Sequence, residues 1–404
     1  MSEAQSLFSV KTIRDRCRKI LDLGLDGKLE HFTVDLDKLH ETALFVVSVI
    51  KENYPSLEIQ DHSRVNHFNS PGHNRWQTFL NSISKLTPEE KGVTTLDLIV
   101  TSVLLDAGAG DNWKYYDDNS KKSFTRSEGL GIASFNAFNQ GLFSSDEKKQ
   151  ADAKGLAELN SQMLATAFQH SDSNELRGLQ ERTQLLNQLS KALSTDEIFL
   201  KGTSRRIGNI FYSFAAKKEG DGLKANDVFQ TLLMSLNAIW PSRFSINSVG
   251  LGDCWKHSQI KTNDATDGYI PFHKLTMWMT YSVVHALKEL GIAVAEQNAL
   301  CGLAEYRNGG LMLDSGLVVA TDKNLANTPL KQESETIVEW RALTISLLDL
   351  LAEECRKIMS LSRDELTMAK VLEGGTWAAG RKIAMEKRGT LLPPLQIVTD
   401  GTLF

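Results

Sequence analysis

From Asp106 to Gly141 the chain reads DAGAGDNWKYYDDNSKKSFTRSEGLGIASFNAFNQG, which crowds Asp106, Asp111, Trp113, Tyr115, Tyr116, Arg126 and Glu128 into one short stretch. This mixture makes a poor core and a good lining for a site. The Trp and Tyr rings can stack on a planar or cyclic ligand, and Arg126 can pair with a carboxylate or a phosphate. Gly108 and Gly110 free the backbone to turn just beyond Asp106. A surface loop with a capping Asp collects the same residue types. A long ordered connection inside a compact protein is nevertheless uncommon and often functional, so a site is expected here.

Two further stretches have the same character. One runs from Asp253 to Lys274 with Trp255, His257 and His273, and the other from Glu305 to Asp314 with Tyr306 and Arg307. Carboxylates interleaved with aromatics and cations suit a reaction that passes through a positively charged intermediate. One carboxylate stabilises an oxocarbenium ion while an acid protonates the leaving group, and an N-glycosidic bond to ribose has that requirement. Glu305, Asp253 and Asp106 are the catalytic candidates. Asp111, Trp113, Tyr116, Arg126, Glu128, Trp255, His257, His273, Lys274, Tyr306 and Arg307 are the candidates for holding substrate, with the three cations Arg126, Arg307 and Lys274 assigned to a phosphate. Each Asp or Glu taken singly reads as well as a cap or a surface salt bridge.

Other chemistries find little support. His62, His67 and His73 have no helical ligand-pair spacing, so no metal is expected. Asn66, Asn69, Ser70, His73 and Arg75 either face a polar ligand or cap the helix that follows. Cys254 reads as a buried small hydrophobe rather than a nucleophile, even with His257 three residues on. Phosphate-loop, serine-hydrolase, zinc-protease and dinucleotide fingerprints are missing, and no cofactor is expected.

These clusters must be carried by helices. Apolar residues recur at helical spacing over Val10–Leu23, Leu36–Ile50, Lys154–Phe168, Leu176–Leu193, Ala225–Trp240 and Glu333–Lys357, with shorter helices over Ser362–Leu372 and Thr376–Arg388. Ser127 is read as capping a helix through Phe138, and Pro271 as opening the helix that carries Lys274 and Trp278. LMLDSGLVVA is read as a short hairpin about Asp314 and Gly316. The expectation is a mainly α, multi-helix globular protein with a minor β-hairpin, divided into an N-terminal helical lobe over 1–150 and a C-terminal helical lobe over 151–404.

Net charge of -5 argues against a nucleic-acid partner. No apolar run approaches the roughly 20 residues that cross a bilayer, and the N-terminus has no signal-peptide core, so a cytoplasmic protein without a membrane partner is expected. The four cysteines are widely spaced and form no disulfide or zinc pattern.

LDLIVTSVLLDAGAGDNWKYYD, FTRSEGLGIASFNAF, GYIPFHKLTMWMTYS and GLAEYRNGGLMLDSG, in that order, resemble the uracil-catabolism protein four family, formerly a domain of unknown function. The resemblance implies a pathway in which uracil is made into its ribonucleotide, the ring is opened by a cyclohydrolase-like enzyme, and urea and a three-carbon acid are released. A step that cuts a ribosyl-urea bond is then required, and the ring-opening enzyme is an expected partner. AEYRNGG, Ala304 to Gly310, resembles the ADYRVPQ segment of queuosine-nucleotide N-glycosylases, which implies a DNA-glycosylase-like C-terminal part. Tyr306 and Arg307 match that segment, Glu305 stands where those enzymes have Asp, and the following Pro is absent. The expected function is hydrolysis of the C1′–N bond in a ring-opened uridine nucleotide. The alternatives are an amidohydrolase or deaminase of the opened ring, and a non-catalytic scaffold for the ring-opening enzyme.

Overall fold

Nearly every residue from Thr336 to Leu348 is apolar or small, so a helix formed there can only be stable surrounded by protein. In the computed structural model, which describes residues 2–70, 72–106, 108–110, 112–217, 222–240 and 242–398, Glu335–Met359 is such a helix, with buried residues from Thr336 through Leu348. Val10–Leu25 and Leu39–Asn53 pack along it. The protein is mainly α, and among the described residues each sheet is only two-stranded. Buried apolar side chains run continuously from Ala4 to Leu395.

Two helices lead to the central stretch. Pro88–Leu104 starts with Pro at its first turn and a capping box between Thr87 and Glu90, is buried throughout Gly92–Leu104, and delivers Asp106 just past its end. Lys274–Glu289 packs against it and is buried over most of its length. Arg126–Asn139 lies across the short Arg64–Phe68 helix. A Cβ on Gly131 would stand 2.8 Å from the His67 backbone, so only glycine allows that approach. None of the helices formed by the described residues is long and apolar enough to cross a membrane.

Several local expectations change. Tyr306–Ser315 is a helix, capped by the Glu305 side chain and ended by Gly316 at φ +84°, so LMLDSGLVVA is no hairpin. The following strand, Val318–Ala320, pairs antiparallel with distant Phe32–Val34 instead. A Cβ on Gly309 would come within 2.6 Å of the Trp340 ring, which shows how closely this helix is packed. Pro271 ends the Tyr269–Pro271 strand rather than opening a helix. Lys154–Phe168 is broken into Ala153–Glu158 and Ser161–Ala167, the second capped by Asn160. The C-terminal helices run on as one: Met368–Lys370, a π-helical turn Val371–Thr376, then Trp377–Arg388.

Candidate functional site

Residues from all three polar stretches meet at one cavity of about 640 Å³. Asp106, Arg126, Lys274, Glu305, Tyr306 and Arg307 line it together with His62, His67, Trp278 and Trp377. Each is placed by a helix end or an early helical turn. Asp106 follows Pro88–Leu104, Arg126 and Lys274 are the first residues of their helices, and Trp278 lies one turn after Lys274. Glu305 accepts hydrogen bonds from the backbone N–H of Arg307 at 2.9 Å and of Asn308 at 2.7 Å, which fixes its carboxylate at the helix N-terminus. The Arg307 guanidinium lies 4.4 Å from the centre of the Trp377 ring. Gly380 permits this: a Cβ there would meet the Arg307 carbonyl at 2.4 Å. Residues from Thr390 to Ile397 supply an apolar wall, anchored where Ile397–Val398 pairs with Leu330–Lys331.

Two cations are presented at strained backbone. Arg126 has φ +54°, and His273, immediately before Lys274, has φ +45° and ψ +42°. Such conformations cost a non-glycine residue on the order of 1–3 kcal/mol and recur at functional sites.

Four basic side chains on the lining, Arg126, Arg177, Lys274 and Arg307, face two acidic ones, Asp106 and Glu305. The chain as a whole is acidic, so the cavity concentrates charge of the opposite sign. Arg126 Nη1, Arg307 Nε and Trp278 Nε1 are buried without a hydrogen-bond partner among the described residues. An unpaired buried donor costs roughly 1–3 kcal/mol, and such groups call for a partner that the described residues do not provide. Burial lifts the Asp106 carboxyl above its ordinary value, against the pull of the Arg64 guanidinium, whose Nη1 lies 2.6 Å away. Burial also lowers the Lys274 ammonium, with Arg341 adding to the effect and Glu305, Asp253 and Asp106 opposing it. His67 is held well below the usual histidine value, first by burial and then by Arg64, His62 and Arg307. It is therefore neutral. Its Nδ1 is 3.3 Å from Arg64 Nη1 and can only accept there, so Nε2 carries the proton.

The family described as "Protein of unknown function (DUF1688)" matches residues 6–404. The chain belongs to this family. It is 38% identical over 416 residues to "Protein urg3" of Schizosaccharomyces pombe, and 35% identical over 431 residues to "Uracil catabolism protein 4" of Lachancea kluyveri. Each match covers 98% of this chain and 98% of the relative.

The remaining sequence candidates of this family member lie elsewhere. Asp253 is buried away from the cavity lining, with Oδ1 accepting from Trp255 Nε1 at 2.7 Å and Arg341 Nη1 at 2.8 Å, and Oδ2 from Arg341 Nη2 at 2.8 Å and Lys274 N at 3.0 Å. Burial alone would raise this carboxyl, but Arg341 and the hydrogen bonds hold it below its ordinary value. Its carboxylate caps the start of the Lys274 helix, and Trp255 is a buried donor in the same network. His273 is buried with its Nε2 3.2 Å from the Leu7 carbonyl. His257 lies between Glu339 at 3.2 Å and Glu335 at 3.3 Å. These three have ligand atoms within 4.8 Å of one another, a group able to hold a metal ion. Trp113 is wholly buried and donates from Nε1 to the Phe168 carbonyl at 2.9 Å, Tyr116 is exposed, and Glu128 is 3.6 Å from Arg381. Asp111 lies outside the described residues. Cys254 is buried with its thiol pushed well above the usual range by burial and by Asp253, which does not favour a nucleophile.

Sequence reasoning did not single out Arg64, Arg177, Trp377 or the Thr390–Ile397 wall as parts of the site, and it weighed His62 and His67 for metal. The i, i+3 spacing of Arg64 and His67 was a readable signal for a shared helical face. Arg75 is paired with Asp117, and Arg206 with Asp97. The apolar wall carried no chemical signature.

Proposed function

We propose that the cavity hydrolyses the C1′–N bond of a ring-opened uridine nucleotide such as ribosyl-urea 5′-phosphate, as a step of uracil catabolism. The observation that carries this reading is the pair Asp106 and Glu305 on one lining with four cations, of which Arg126 and Arg307 each keep a buried nitrogen without a hydrogen-bond partner among the described residues. The name of the Lachancea kluyveri relative supports the pathway, and a cavity of about 640 Å³ is large enough for a ribonucleotide-sized molecule.

The chemistry follows from the charges. As the C1′–N bond lengthens, positive charge grows on the sugar, and the fixed Glu305 carboxylate stabilises it and takes a proton from the attacking water. Asp106, held by Arg64, hydrogen-bonds ribose hydroxyls or the urea N–H groups. Arg126 and Arg307 take the 5′-phosphate, with Lys274 completing the countercharge. The Trp278 and Trp377 rings bound the sugar and the planar urea.

The test incubates purified protein with UMP and the ring-opening enzyme, following urea and ribose 5-phosphate by mass spectrometry. Release of both only when this protein is present is the expected result. Ammonia appearing while the ribosyl-urea bond stays intact would overturn the reading.

A further inference from the structure

His62 and Glu373 have no role in the chemistry above, yet they form the shortest histidine–carboxylate contact at the cavity. His62 Nδ1 stands 2.6 Å from Glu373 Oε2, and the His62 ring lies against Trp278 with centroids 4.5 Å apart. The His62 backbone N–H donates to the Ala369 carbonyl at 3.1 Å, which ties the histidine to the helix that carries Glu373. Glu373 sits in the π-helical turn Val371–Thr376, a rare form that recurs at functional sites because its extra residue re-aims side chains. That turn is held in place. A Cβ on Gly374 would reach Ile59 at 2.8 Å and one on Gly375 would reach Val46 at 2.8 Å. The ring's other nitrogen, Nε2, has no hydrogen-bond partner among the described residues, and His62 lines the cavity.

We propose that His62, oriented by Glu373, is the acid that protonates the leaving nitrogen in the C1′–N cleavage proposed above, on which this inference rests. The C1′–N electron pair leaves with the urea nitrogen, which takes the Nε2 proton of the His62 imidazolium and departs as neutral urea. The water oxygen bonds to C1′, and its proton goes to Glu305. The products are urea and ribose 5-phosphate, and return of that proton to His62 through solvent resets the site. Glu373 is a positioning residue: accepting from Nδ1–H, it fixes the tautomer and supports the cationic ring. His67, on the same lining, is held well below the usual histidine value by burial and then by its neighbours, and serves there as a fixed hydrogen-bond donor.

The discriminating experiment compares ribosyl-urea 5′-phosphate with 4-nitrophenyl riboside 5-phosphate, whose leaving group departs without a proton. His62→Ala is expected to lose about a hundred- to ten-thousand-fold in kcat on the urea substrate. On the nitrophenyl substrate it stays within a few-fold of the unsubstituted protein. Glu373→Gln shows the same pattern with a smaller loss, and added imidazole restores part of the His62→Ala rate. His62→Gln, checked by its melting temperature, serves if His62→Ala does not fold. Equal losses on both substrates would assign His62 a structural role and overturn the proposal, as would no loss on either. Failure of the unsubstituted protein to cleave C1′ of both substrates would instead overturn the glycosidic reading, and the acid role with it.

Discussion

Around Asp253 and around Glu305 the chain builds two polar centres from the same ingredients, a carboxylate, an arginine and a tryptophan, and the two differ in what the carboxylate meets: Asp253 is held by the side chains of Arg341 and Trp255, and Glu305 by the backbone of its own helix. Both Asp253 oxygens are engaged by a bidentate Arg341, by the Trp255 indole N–H and by the Lys274 amide. The cavity around Glu305 leaves Arg126 Nη1, Arg307 Nε and Trp278 Nε1 without a hydrogen-bond partner among the described residues. A closed network is a device for holding the fold, and an open one calls for a ligand. The first also serves the second, because the Asp253 carboxylate fixes the amide of the residue whose side chain enters the cavity.

Removing one member of the closed network gives the largest effect expected on stability. Asp253→Ala removes the carboxylate to which both Arg341 Nη groups donate, so a buried charge loses its counter-ion, which should cost about 3–5 kcal/mol in chemical denaturation. A loss below about 1 kcal/mol would show that the network is not what holds this region.

The same region gives a pH signature. Burial takes His273 from 6.5 to about 4, partly offset by Asp253. A histidine whose folded value lies below its unfolded one binds its proton preferentially in the unfolded chain. The stability it contributes is full above pH 6.5 and is lost as pH falls toward 4, by about 3 kcal/mol. His273→Asn, a residue that tolerates the left-handed backbone, should flatten that slope in melting curves. An unchanged slope would place the acid sensitivity elsewhere.

The open centre should answer in binding rather than stability. Arg126→Ala and Arg307→Ala are each expected to weaken ribose 5-phosphate binding by roughly ten- to a hundred-fold in calorimetry, as for a lost charged hydrogen bond. Melting temperature should change little, since neither unpartnered nitrogen gives up a hydrogen bond and Arg307→Ala loses only its stacking on Trp377. Destabilisation with unchanged affinity would reverse the comparison. The smallest change is Trp113→Phe, which removes the Phe168 hydrogen bond and part of a buried ring at about 1–3 kcal/mol in stability and leaves turnover as it was.

That the three polar stretches meet at one cavity took the structure to show; the helical class, the long helix at Glu335–Met359 and Asp106, Arg126, Lys274, Glu305, Tyr306 and Arg307 as candidates were within reach of spacing and composition. Separating these from Asp253, Trp113 and Trp255 was not. A structural aspartate and one on a cavity wall both stand among glycines and aromatics, and only long-range partners such as Arg341, 88 residues from Asp253, distinguish them. The hairpin reading of LMLDSGLVVA failed for a related reason. Its alternating apolar residues also fit a helix, and Glu305 capping before it and Gly316 after it decide in favour of the helix. Glu373 stayed unmarked because a π turn has no distinct periodicity and its partner His62 is 311 residues away.

The most direct measurement gives ribosyl-urea 5′-phosphate, labelled with carbon-13 at the urea carbon, to the unsubstituted protein and to Glu305→Gln, and follows the label by NMR. Labelled urea from the first and none from a folded Glu305→Gln is the expected result. Labelled bicarbonate with ammonia, or turnover by Glu305→Gln at the unsubstituted rate, would contradict it.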